Sequence, residues 1–82
     1  MAKFFFDLRH RGGELDLDDV GVDLANFEDA YLAAHRAAID MWTEARREGV
    51  KPTYHCFEVR DGSDRIVVAL PFSEAVGKGL LV

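Results

Sequence analysis

The stretch from Asn26 to Glu48, NFEDAYLAAHRAAIDMWTEARRE, constrains this chain more than any other. Apolar residues fall at Phe27, Ala30, Tyr31, Ala34, Ala38, Met41, Trp42 and Ala45, the i, i+3, i+4, i+7 spacing of an amphipathic helix. At about 100° per residue they cover an arc of roughly 120°. Asp29, Arg36, Asp40, Thr43, Glu44 and Arg47 occupy the other side. Asn26 suits the N-cap, because its side-chain oxygen accepts from a free N–H of the first turn. Glu28 and Asp29 complement the positive end of the helix dipole, and Arg46 and Arg47 the negative end. Gly49 supplies a left-handed C-cap and Pro52 prevents resumption. Start, stop and stripe agree on one long helix.

A helix with one apolar stripe needs a partner surface, and the flanking segments read as strands. Lys3 to Arg9 alternates, with Phe4, Phe6 and Leu8 on one side and Lys3, Phe5, Asp7 and Arg9 on the other. A turn at His10-Arg11-Gly12-Gly13 leads to a return strand over Glu14 to Leu17. Asp18-Asp19-Val20-Gly21 is a second turn, and Val22-Asp23-Leu24 leads into the helix. Beyond it, Thr53 to Arg60 and Arg65 to Phe72 flank Asp61-Gly62-Ser63-Asp64 as a β-hairpin. His55, Phe57 and Val59 are expected on one face of the first strand, and Ile66, Val68, Leu70 and Phe72 on one face of the second. Val67 and Ala69 make the second strand apolar on both sides, so it is expected to be central or covered on both faces. Pro71 ends its hydrogen bonding or places it at an edge. Residues 73–82 read as a glycine-broken tail whose Leu80-Leu81-Val82 end is either frayed or docked. The expectation is one domain over residues 1–82. It is a small two-layer α+β ββαββ fold with the long helix packed on an antiparallel sheet.

Composition narrows the class. With 49% hydrophobic residues the 82-residue chain can form a core, though a modest one. The net charge of −5, fifteen acids against ten Lys and Arg, argues against unspecific binding to nucleic acid or anionic membrane. It leaves basic partner surfaces open. The single Cys56 excludes an internal disulfide and fits a reducing cytoplasm. No signal peptide or membrane span is read, since Phe4-Phe5-Phe6 is short and is followed by Asp7 and Arg9.

With these pieces placed, the opening K-F-F-F-D-L at Lys3 to Leu8 resembles the R-Y-F-F-x-[VI] opening of short, chiefly alphaproteobacterial proteins known as domain of unknown function 6894. The glycine turn at Gly12-Gly13, the D-x-x-G-V-x-L run from Asp18 to Leu24, the alanine-rich helix and the closing segment Phe57 to Phe72 are similar too. The resemblance covers most of the chain and implies a compact bacterial domain. It carries over no catalytic or ligand residue. The Asp-Gly-Ser-Asp loop and the bulky Trp42 depart from the family pattern.

Groups that could carry chemistry do not assemble by spacing. The acids Glu14, Asp16, Asp18, Asp19, Asp23, Glu28 and Asp29 invite a calcium loop. With Asp16 first, Asp18 and Gly21 fit, but Val20 and Phe27 stand where ligands are required. A solvated loop beside a helix N-terminus is the plainer reading. His10, His35, His55 and Cys56 lack metal-ligand spacing, and His55 and Cys56 point to opposite faces of a strand. Ser63 and Ser73 have no nucleophile context. Gly77-Lys78 lacks the rest of a phosphate loop. No catalytic residue, metal ligand or cofactor is expected, and the chain is not expected to be an enzyme.

Surface remains. The outer sheet face is expected to carry Phe5, Asp7, Arg9, Cys56, Glu58, Arg60, Val67 and Ala69, with charged cross-strand pairs around an apolar strip of Phe5, Val67 and Ala69. Leu32, Ile39 and Trp42 form a second candidate patch on the helix. The expected function is a non-enzymatic interaction module, a homodimer or a binder of another protein, through one of these patches. Two other classes stay open: an acidic, antitoxin-like inhibitor of a basic nucleic-acid-binding protein, and a small-ligand or metal-binding domain.

Overall fold

The computed structural model describes residues 1–80, with side chains to Gly77. Its elements are β1 (Ala2–His10), β2 (Leu15–Asp16), β3 (Val22–Leu24), α1 (Phe27–Glu48), β4 (Tyr54–Arg60), β5 (Ile66–Pro71) and α2 (Phe72–Leu80). The α+β two-layer expectation holds, with two additions. Val22–Leu24 is a short strand paired with Ala2–Phe4, and the segment after Pro71 is helical up to an interruption at Gly77. Of the Leu80-Leu81-Val82 end, Leu81 and Val82 lie outside the described residues.

α1 begins and ends where its capping residues predict. Asn26 Oδ1 accepts from Asp29 N–H at 2.9 Å, and Gly49, at φ 74°, donates back to the Ala45 and Arg46 carbonyls. The side that meets the sheet is narrower than the apolar stripe. Ala30, Ala34 and Ala38, each fully buried, make the contact, while Phe27 and Tyr31 stand in solvent at its margin. Three alanines at i, i+4 and i+8 let the helix backbone lie close on the sheet, so larger neighbours are displaced to its flanks. The sheet answers with Phe4, Phe57, Val59, Val68 and Leu70.

The strand order is β2-β1-β4-β5, all neighbours antiparallel, with β3 also on β1. β5, expected to be central or covered on both faces, is therefore an edge strand, the alternative that Pro71 left open for its end; β1 and β4 are the middle. Its apolar second face is explained by a bulge. Val59 pairs with Val68 but Arg60 pairs with Ile66, leaving Val67 as an extra residue. One inserted residue turns every side chain beyond it to the other face. Ile66 accordingly leaves the core face, where alternation placed it, and is 59% exposed beside Arg60. A second bulge sits in β4, where Arg9 pairs with Cys56 and His10 with Tyr54, skipping His55. It corrects the first strand in the same way. His55 is exposed and Tyr54 packs against the core.

α2 packs against α1 and β4 and extends the core. Phe72, Ala75 and Val76 are buried. The Phe72 ring stacks on Phe57 (5.2 Å between centroids) and on Tyr54 (5.4 Å). Such pairs add to the burial of their area. None of the described helices is long and apolar enough to cross a membrane.

Candidate functional site

Two places gather the residues singled out from the sequence. One is the outer sheet face; the other is a groove between α1 and the edge of β5.

On the outer face the charged side chains do pair across strands, along the diagonals of the β1–β4 register. Arg60 Nε donates to Asp7 Oδ2 at 2.6 Å and its Nη2 to Asp7 Oδ1 at 3.1 Å. Arg9 grips Glu58 in the same two-pronged way, at 2.9 and 3.1 Å. Bidentate guanidinium–carboxylate pairs of this kind are stiff as well as attractive. Asp7 is only 2% exposed, and its Oδ1 also accepts from the Asp18 N–H at 2.9 Å. Arg60 further donates to Asp64 and to the Asp18 carbonyl, so β1, β4 and two loops meet on one side chain. The hydrogen bonds that Arg60 donates to Asp7 and Asp64 push its pKa up, and the one that Arg9 donates holds the Glu58 carboxyl below its usual range.

Phe5 is not a free apolar residue. The Arg60 guanidinium lies 4.9 Å from its ring centroid, a cation–π contact, and Gly21 packs close against the ring. Gly21 has φ +76°, and a Cβ there would sit 2.9 Å from Phe5 Cε1. Asp18 holds the loop from Leu17 to Gly21 down. Its Oδ2 accepts from Phe6 N–H at 3.0 Å, and its Oδ1 from Val20 and Gly21 N–H at 3.0 and 3.1 Å. Burial would raise the Asp18 carboxyl, but these backbone donors outweigh it and leave it below the usual carboxylate range. Asp18 is thus a structural anchor and not one of a set of solvated acids. Nothing in its spacing signalled that role, which depends on a strand N–H left between the β2 and β3 pairings.

The metal-capable residues are scattered in space. His10 Nε2 meets Asp16 at 2.7 Å and its Nδ1 meets Thr53, His35 rests against Tyr31, and Cys56 is buried with its Sγ 3.8 Å from Glu58. Burial pushes the Cys56 thiol up, away from the reactive thiolate. Among the described residues no three His, Cys, Asp or Glu side chains converge as a metal site would require.

The six residues proposed as partner contacts divide. Leu32, Val67 and Ala69 come together in the groove, which has a volume of about 480 Å³ and is completed by Phe27, Tyr31 and Val68. Leu32 is 58% exposed, Phe27 59% and Val67 37%. Phe5 lies apart, under Arg60. Ile39 and Trp42 are half-buried. Trp42 lines a separate cleft with Arg11, Tyr54, His55, Phe72 and Val76, and its shielded indole N–H has no acceptor among the described residues. The outer strip of Phe5, Val67 and Ala69 is therefore split, with Glu58 and Arg60 of β4 between its parts. Phe27 and Tyr31 are the groove residues that sequence reasoning missed, having been assigned to the core stripe.

No curated protein and no solved structure matches the chain. The sequence model of the family described as Domain of unknown function (DUF6894) matches residues 3–73. The bulges, the Asp18 anchor and the α1–β5 groove are accordingly features of a chain that belongs to this family of unknown function.

Proposed function

We propose that this chain is a non-enzymatic protein-docking domain whose contact surface is the groove between α1 and the edge of β5. One observation carries the reading: Phe27, Leu32 and Val67 are all exposed and line one groove beside a strand that, among the described residues, pairs on one side only. Isolated apolar residues on a surface are ordinary, but a contiguous set beside an open strand edge is a docking feature. The outer face offers a partner far less, since its charges are committed to each other and its half-buried aromatic ring is engaged by Arg60 and Gly21. A photo-crosslinking residue placed at position 32 in living cells should join the chain to protein. The same residue at position 47, at the far end of the helix, should not. Equal yields at the two positions would sink the reading.

A further inference from the structure

We propose that the occupant of this groove is a second copy of the chain, with the two α1 helices antiparallel across a two-fold axis near Leu32. The inference rests on the docking reading above and names its partner. Glu28, Leu32 and Arg36 are spaced i, i+4, i+8, so they follow one another along one flank of α1, and all three are exposed. Glu28 and Leu32 border the groove, and Arg36 stands one turn beyond. Read along the helix the flank is acidic, apolar, basic. Read backwards it is basic, apolar, acidic. An antiparallel copy therefore sets Glu28 against the other Arg36 and Arg36 against the other Glu28, with Leu32 meeting Leu32 between them. A two-fold contact must be self-complementary in this sense, because the same patch serves both subunits. Neither Glu28 nor Arg36 forms an ion pair with another described residue of its own chain, so both charges are available.

The strand edge supports a contact made by side chains. The bulge at Val67 and the missing N–H of Pro71 interrupt the outward row of backbone donors, which disfavours a continuous sheet through the dimer. They leave Phe27, Leu32 and Val67 as the apolar centre, with one acid and one base at its rim. An unrelated partner would need a charge pattern of its own to fit this flank; a second copy already has it.

The test is sedimentation equilibrium of the purified chain from low to high micromolar concentration, with charge reversals. The unmodified chain should dimerise. Glu28→Arg makes the flank wholly basic and Arg36→Glu makes it wholly acidic, so each alone should weaken self-association roughly tenfold or more. An equimolar mixture of the two variants should regain the dimer as a heterodimer, because their flanks are again complementary. Arg36→Glu lies in mid-helix and does not oppose the helix dipole, and an unchanged circular dichroism spectrum keeps folding out of the comparison. A chain that stays monomeric at high micromolar concentration overturns the proposal. So does a mixture that associates no better than either variant alone, or a dimer indifferent to both reversals. If the chain is monomeric while position 32 still crosslinks to other proteins, self-association falls and the docking reading stands. Loss of the crosslink preference with dimerisation intact removes the docking groove and, with it, this seat for the second copy.

Discussion

Asp18 accepts three backbone hydrogen bonds through two oxygens, so both oxygens are needed. Asp18→Asn can keep the two bonds to Val20 and Gly21 only by turning an NH2 group toward the Phe6 N–H. Two donors then face each other in a half-buried site. The expected loss is about 1–2 kcal/mol, seen as a fall in Tm of about 5–10 °C for a domain of this size. A Tm within error of the unmodified protein would mean that water replaces the carboxylate without penalty. Gly21 supports the same loop by lacking a side chain. Gly21→Ala combines a left-handed backbone with a methyl group driven into the Phe5 ring. It should cost about 2 kcal/mol, more than the ordinary 1–2 kcal/mol strain of that conformation would suggest at its lower end. Denaturant midpoints would measure it.

At the scale of the element, α1 sets the spacing of the two layers. Because Ala30, Ala34 and Ala38 have no accessible surface, there is no room for a larger residue between helix and sheet. Ala34→Leu is therefore expected to destabilise by about 1–3 kcal/mol through overpacking, although leucine is a good helix former. An isolated α1 peptide with the same change should be no less helical than the unmodified peptide. That contrast separates packing from propensity, and a neutral effect in the whole protein would show that the layers can part. β5 illustrates the opposite case, in which one inserted residue at Val67 redistributes a strand between two faces.

Over the whole molecule, acid stability follows from three carboxyls held below their ordinary values. The causes are the Arg9 hydrogen bond for Glu58, the backbone donors for Asp18 despite its burial, and the Arg65 N–H followed by Ser63 for Asp61. A carboxyl that is more acidic when folded than when unfolded binds fewer protons in the native state. Its stabilising contribution is thus complete above the unfolded pKa of roughly 4 and is lost as pH falls through the folded value. Tm should be nearly level above about pH 5 and fall below about pH 4. Asp18→Asn should show a shallower acid limb, since one of the three groups is gone. An equal acid limb in the variant would remove Asp18 from the account.

The α1 helix, its boundaries and the turns around it were legible in the sequence because each is decided within a few residues. Asn26, Gly49 and Pro52 act on their own backbone, and a 3.6-residue period is a local property of side-chain order. The charged character of the outer face was legible as well, since alternation puts Asp7, Arg9, Glu58 and Arg60 on one side of their strands. What the tertiary structure decided was every matter of register. Whether β5 lies inside the sheet or at its edge depends on the order in which distant strands pair. The bulges at His55 and Val67 move Tyr54 into the core and Ile66 out of it, and both follow from matching β4 to neighbours on two sides. Asp18 became an anchor because the β2 and β3 pairings leave the Phe6 N–H between them without a strand partner. Phe27 and Tyr31 moved from stripe to groove because three alanines, by fitting closest to the sheet, set which line of the helix faces inward. Periodicity orders the side chains around a helix or strand; the fit against a neighbouring layer sets where that order begins.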